Sequence, residues 1–364
     1  MKFAVVEYSS KSGGIWRHRD DKPNYLEDPQ KIIDPTSFGC YVSALKGEHI
    51  PITWLANTSL GLNSIRKAHK RLLGSWPSYS LDYLKQFDTI MVVHQISDAH
   101  EVLHFAQRVK KKLPHIFILG VPTQPFGILQ PTLDSHPEQK KIFVDFVNTC
   151  DVFLTVVKST QTWYESLAQT PVVYLPQIYP THFASQFFLP REQKKKIIFA
   201  AGITDRPNIS QGFAVSRQLQ QEFPEYVVHV TQIPDVKMDF SELQGARYEI
   251  QPFREWKEQL PYLATVEVII NPDCTATRGR VQVDAAAVGT PSVGGNSDGT
   301  TDLYPELTSS PETSTEELVT KGRRLLTDNA YYEKITQYAA DHLKKYDYEE
   351  SAVRLQLLVK QYRS

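Results

Sequence analysis

Short apolar runs rich in Val and Ile alternate along the chain with longer stretches in which apolar residues recur three and four apart. Strands covered on both faces read as continuous apolar runs and the helices covering them as amphipathic ones, so the pattern predicts βαβ units around a parallel sheet. It occurs twice. In the first half it predicts strands at Lys2–Glu7, Ile50–Trp54, Thr89–His94, Ile116–Gly120, Val152–Val156 and Val172–Leu175, with helices at Asn63–Leu73, Asp98–Lys112, Glu138–Asn148 and Thr160–Leu167. After the Pro- and aromatic-rich stretch Pro176–Arg191, strands are predicted at Ile197–Ala201, Val227–Thr231, Tyr248–Ile250, Val266–Asn271 and Pro291–Val293. Helices follow at Ser210–Glu222, Glu255–Leu263, Val281–Val288, Thr315–Leu326 and Tyr331–Lys345. A last amphipathic helix, Glu349–Tyr362, has no strand after it.

The length of 364 residues fits two domains at about 150 residues each. With 41% hydrophobic and 22% charged residues the chain is of globular composition. A net charge of −1 supplies no overall field toward nucleic acid or anionic membrane. No apolar run approaches the length of about 18 residues that spans a bilayer. The N-terminal MKFAVVEYSS reads as a strand rather than a secretory signal. Cys40, Cys150 and Cys274 are too few for a disulfide framework and too widely spaced to pair as metal ligands, so a cytoplasmic protein without a metal site is expected.

Doubly wound sheets bind ligands at the carboxyl ends of their strands, which directs the search to the loops there. The first loop, Ser9–Ile15, carries Gly13 and Gly14, whose backbone could approach a phosphate or sugar closely; the pair also makes a good turn. It lacks G-x-G-x-x-G and the Walker lysine, so neither dinucleotide nor P-loop chemistry is supported. His94 ends the third strand, where it could orient or deprotonate an acceptor hydroxyl, or simply be a hydrogen-bonded strand-end histidine. Asp98, at the start of the next helix, offers a carboxylate or only a cap. The most specific segment is Asn271–Gly295, a strand end, a polar loop with Arg278 and Arg280, a small-residue helix and a buried strand. Arginines beside a helix N-terminus join a planar fork to free amides, which suits a diphosphate.

That segment resembles the donor-site signature of GT-B glycosyltransferases, especially the large retaining fourth family. Asn271-Pro272 begins the pattern and Asp284-Ala-Ala-Ala-Val-Gly-Thr-Pro-Ser-Val293 completes it, with Asp284 at the second acidic position. Asp88–His94, Cys150–Ser159, Leu175–Phe183 and Tyr346–Tyr362 are similar to further stretches of that family, so the likeness covers almost the whole chain. It implies an α/β fold of two Rossmann-like doubly wound domains, residues 1–188 for the acceptor and 189–346 for the donor, with residues 347–364 forming a helix that returns to the first. The implied activity is transfer of a sugar from a nucleotide-diphosphate sugar to a hydroxyl, with no cofactor and no metal. The candidate catalytic residues are His94, Asp98, Arg278 and Arg280, the two arginines standing in for phosphate cations that the family carries after the first strand of its second domain. Gly13, Gly14, Gly202, Arg206, Thr277, Gly279, Asp284, Gly294 and Gly295 would bind the donor, Asp284 through the ribose hydroxyls. Three departures stand out. Ala276 occupies the first acidic position, only Arg206 among residues 202–208 offers a phosphate cation, and a second histidine is absent from residues 120–124. Three readings stay open: a divergent enzyme in which Arg278 and Arg280 neutralise the diphosphate, a phage-type enzyme acting on modified DNA bases, and a non-catalytic sugar-nucleotide-binding protein.

Overall fold

The computed structural model describes residues 1–8, 38–52, 55, 81–201, 209–234 and 237–363. The predicted helix Asn63–Leu73 lies outside them. Each predicted strand is found at least in part among the described residues, most with ends shifted by one or two positions; residues 53 and 54 of the predicted Ile50–Trp54 lie outside them. The first sheet contains β1 (Phe3–Glu7), β2 (Glu48–Pro51), β3 (Thr89–His94), β4 (Phe117–Pro122), β5 (Val152–Thr155) and β6 (Val172–Tyr174) in the order β2-β1-β3-β4-β5-β6. All its pairs are parallel. Both faces are covered, so all six residues of β3 and all six of β4 are buried. Its helices are α1 (Gly39–Ala44), α2 (Ala99–Lys112), α3 (Phe126–Ser135), α4 (Pro137–Thr149) and α5 (Gln161–Leu167).

The second sheet is also wholly parallel, in the order β11-β10-β7-β8-β9, from β7 (Lys195–Ala200), β8 (Val227–Gln232), β9 (Tyr248–Pro252), β10 (Val266–Asn271) and β11 (Ser292–Gly294). Its helices are α6 (Thr181–Ala184), α7 (Ile209–Glu222), α8 (Trp256–Ala264), α9 (Arg280–Ala287), α10 (Asp298–Leu303), α11 (Thr315–Thr327) and α12 (Asn329–Leu343). Ala285, Ala286 and Ala287 of α9 are buried in a core shared with Val268, Ile269 and Ile270 of β10. Lys194 fixes the far end of α9: its ammonium donates to Val288 O at 3.3 Å, to Thr290 Oγ1 at 2.9 Å and to Ala264 O, at the end of α8, at 2.8 Å. Burial lowers the Lys194 pKa from 10.5 to about 7, and in its charged form the amine meets both helix dipoles favourably.

The chain forms two compact units, residues 1–124, 128–178 and 348–364 in one and residues 125–127 and 179–347 in the other. The change of unit after Ile178 precedes the boundary expected at residue 188, because Tyr179, Phe183 and Ala184 are buried in the core of the second unit. The last helix, α13 (Tyr348–Arg363), belongs to the first unit, where Tyr348 Oη donates to Cys40 Sγ at 3.4 Å and Arg363 to His115 O at 3.3 Å. No described helix is long and apolar enough to cross a membrane.

Candidate functional site

The second sheet reverses direction between β7 and β10. From β7 the chain steps outward through β8 and β9, then returns to place β10 on the other side of β7. Consecutive crossovers diverge there and leave a crevice at the strands' carboxyl ends, the usual ligand position in such sheets. The loop Pro272–Gly279 after β10 borders it. Gly202 and Arg206, which follow β7 in the chain, lie outside the described residues, as do Gly13 and Gly14.

The loop Pro272–Gly279 is shaped by its own polar side chains. Asp273 Oδ1 accepts from the Thr275 amide at 2.9 Å and from Thr275 Oγ1 at 2.5 Å. Ala276 then takes the left-handed φ of 48°, and Gly279 at φ 74° caps α9 with its amide on Thr277 Oγ1 at 3.3 Å. A β-carbon on Gly279 would lie 2.4 Å from Ser297 Oγ and 2.6 Å from the Gly299 amide, so close approach as well as φ requires glycine. The carbonyls of Thr277 and Arg278 accept from the amides of Asp298 at 3.2 Å and Gly299 at 3.1 Å, locking this loop to the start of α10.

Val283 is the first residue of α9 past Arg280 whose amide finds a backbone carbonyl among the described residues, Gly279 O at 3.1 Å. The amides of the opening turn therefore face the crevice end of the helix with their dipole, an arrangement that favours an anion. Arg278 is half-buried immediately before that turn.

Arg280 and Asp284 are placed differently from expectation. Arg280 Nε donates to both oxygens of Asp284, at 3.0 and 3.1 Å. The same carboxylate accepts from Tyr179 Oη at 2.7 Å and Trp256 Nε1 at 2.9 Å. The guanidinium carbon sits 5.1 Å from the Tyr179 ring centre and 5.3 Å from that of Trp256. Side-chain exposures of 16% for Arg280 and 9% for Asp284 make this an interior ion pair. Burial, followed by the charge of Asp284, pushes the Tyr179 phenol well above its usual range. Asp284 Oδ1 takes all three donors and Oδ2 only Arg280 Nε, so the carboxylate holds α9 from within. Arg280 is the counter-ion of that anchor, which leaves Arg278 as the arginine of the loop. Tyr179 and Trp256 had no signal in the sequence, being 105 and 28 residues away from the carboxylate they hold.

Gly294 O accepts from Ser309 Oγ at 2.6 Å and the Gly295 amide donates to Asn271 O at 3.2 Å, so these two groups serve internal packing. A β-carbon on Gly295 would fall 1.8 Å from Asp273 O. Thr277, Arg278, Gly279, Arg280, Asp284, Gly294 and Gly295 are thus gathered around one loop and helix, with Thr277, Arg278 and Gly279 on the loop itself.

In the first unit, His94 is fully buried, with ring centres of Phe143 and Phe146 each 5.0 Å away. Neither ring nitrogen has a hydrogen-bond partner among the described residues. Burial lowers its pKa from 6.5 to about 3, so the ring is neutral. The acceptor-facing histidine expected here is instead part of an aromatic core, because β3 is covered on both faces up to its last residue. Asp98 is half-buried at the N-cap position of α2, makes no cap bond, and accepts from Ser97 Oγ at 2.8 Å. No group of three His, Cys, Asp or Glu side chains among the described residues could hold a metal ion.

No protein-family model matches the chain, and no curated protein matches it in sequence. Solved structures match over essentially its full length. A trehalose-6-phosphate synthase, OtsA, superposes with a TM-score of 0.67 at 11% identity, covering 99% of each chain. A sucrose-phosphate synthase (tll1590) from Thermosynechococcus elongatus gives 0.63 at 13% identity, over 99% of this chain and 98% of that one. Anabaena Alr3699/HepE in complex with UDP-glucose gives 0.63 at 11% identity, over 99% and 100%. The fold is therefore that of GT-B glycosyltransferases, two parallel α/β sheets each wrapped in helices.

Proposed function

We propose that the protein is a glycosyltransferase that moves a sugar from a nucleotide-diphosphate sugar to an acceptor hydroxyl. The observation that carries this reading is the Pro272–Gly279 loop at the reversal of the second sheet, which delivers Arg278 and the opening turn of α9 to the position where a ligand binds in such folds. A diphosphate there gains charge as the sugar departs. Preorganised amides and a guanidinium aimed at it stabilise the departing group more than the intact donor, which is what accelerates transfer. The reading needs no metal ion. One solved neighbour is a complex with UDP-glucose, which makes that compound the first donor to try. With a net charge of −1 the chain has no general attraction for DNA, and a carbohydrate or other small hydroxyl acceptor is the simpler partner.

Thermal unfolding against a panel of nucleoside diphosphates and sugar nucleotides tests the donor site without an acceptor. Saturation at a hundred times the dissociation constant stabilises by about 2.7 kcal/mol. Release of nucleoside diphosphate, with and without simple sugar acceptors, then tests turnover. A chain that no member of the panel stabilises at millimolar concentration, and that releases none, is not such an enzyme.

A further inference from the structure

Helix α13 is apolar on two sides. Tyr348, Ser351, Ala352, Leu355, Leu358 and Val359 are buried in the first unit. Val353 and Leu357 stand on the opposite side, 55% and 61% exposed. Single exposed aliphatics are ordinary on a protein surface, but these two belong to a pattern. The outward positions read Glu350, Val353, Leu357 and Lys360, all exposed and spaced by three, four and three residues. That is the spacing of a helix–helix seam, in which alternate three- and four-residue steps keep one stripe facing a neighbour.

The order of residues in the stripe identifies what fits it. A two-fold axis crossing the helix at the level of Leu355 exchanges Val353 with Leu357 and Glu350 with Lys360. An antiparallel copy of the same helix therefore sets aliphatic on aliphatic at the centre and carboxylate against ammonium at both ends, each contact made twice. The first turn of α13 carries Glu349 and Glu350 and the last carries Lys360 and Arg363, so the flanks match in the same sense. A parallel copy would oppose Glu350 to Glu350 and Lys360 to Lys360. Within its own chain Glu350 pairs with Arg354 at 3.9 Å, its carboxylate 60% exposed. We propose that the outer face of α13 is a dimerisation surface whose partner is a second copy of this chain, packed antiparallel with Val353 and Leu357 at its centre and Glu350–Lys360 pairs at its ends. Sixteen residues make a helix of about 24 Å, and one such pair buries less than the roughly 1,200 Å² of a standard interface, so the dimer is weak and depends on concentration.

Sedimentation velocity on the full chain, from about 1 to 200 µM, reads this directly. The wild type should pass from monomer to dimer across that range, and Leu357→Lys should stay monomeric. Lys360→Glu and Glu350→Lys should each raise the dissociation constant about tenfold or more, because like charges then meet at both ends. The double variant restores opposite charges and should regain the wild-type constant, and the two single variants should associate with each other when mixed. All these positions are exposed, and circular dichroism checks that each variant is folded. A wild type that is monomeric throughout, a dimer that Leu357→Lys leaves intact, or a double variant no better than the singles overturns the proposal. None of these readouts involves nucleotide, so the outcome is independent of the proposed activity.

Discussion

Replacing Asp284 by Ala separates an anchoring carboxylate from a ligand-binding one. In the structure the substitution strands the Arg280 guanidinium in an interior where its side chain is 16% exposed, and it leaves Tyr179 Oη and Trp256 Nε1 without their acceptor. Removing one member of a buried pair costs about 3–5 kcal/mol, chiefly for the charge left behind. The two neutral donors add to the same loss, but less than their separate worth, because the side chains share one site and relax together. At about 2–4 °C per kcal/mol for a domain of this size, the melting temperature of the second unit should drop by about 10 °C. The paired change Asp284→Leu with Arg280→Met removes both charges at once and should recover most of that loss, since an apolar pair of similar volume is often as stable as a buried ion pair. Calorimetry or circular dichroism melts of the wild type, Asp284→Leu, Arg280→Met and the paired variant give the coupling. If Asp284→Ala melts with the wild type and loses only nucleotide affinity, the carboxylate is a ligand group and the anchoring role is wrong.

His94 carries a pH signature: with its pKa lowered from 6.5 to about 3 in the folded chain, the unfolded chain binds more protons between those values, so stability is full above about 6.5 and declines as pH falls toward 3. His94→Leu should flatten that acid limb in pH-dependent melts without loss of stability at pH 7; an unchanged acid limb would show that the ring is already solvated. Arg278→Ala should leave the fold intact and slow transfer about a hundredfold, with Arg278→Lys between it and the wild type, since lysine keeps the charge and loses the fork. Wild-type rates for both would move the diphosphate elsewhere. Gly295→Ala puts a β-carbon 1.8 Å from Asp273 O and should cost about 1–3 kcal/mol in melts while weakening nucleotide binding by displacing the loop, and a variant with wild-type melting and affinity would contradict the close approach.

Strands were the most legible part of the sequence because a sheet covered on both faces leaves few polar positions in its runs, as in the fully buried β3 and β4. Helix α3 was hidden by Pro131, which reads as a breaker, although a proline removes only one amide from the ladder. α10 carries no helical signal in the sequence because Asp298, Gly299 and the two threonines that follow favour turns; it forms where Ser297 Oγ accepts from the Thr300 amide. The strand, loop and helix of the candidate site were visible locally, and Arg278 follows from them. The partners of Asp284 were not, since no local pattern connects a carboxylate to a tyrosine 105 residues earlier. His94 misled for a related reason: a position at the end of a strand says which loop is near, but the burial of its side chain depends on Phe143 and Phe146, which arrive with a later helix.

The return of α13 to the first unit sets an order of events at the ribosome. Residues 1–178 emerge long before 348–364, yet Cys40 and the groove that takes Leu355 and Val359 cannot be closed until that last helix has been made. At about 5–20 residues per second, the nascent first unit waits some ten to thirty seconds with the groove open while the second unit is synthesised. The second unit is continuous apart from residues 125–127, so it can complete its own sheet during that interval. Folding of the first unit therefore waits on residues 348–364, and a chain cut after residue 347 keeps the second unit whole while the first is left without α13.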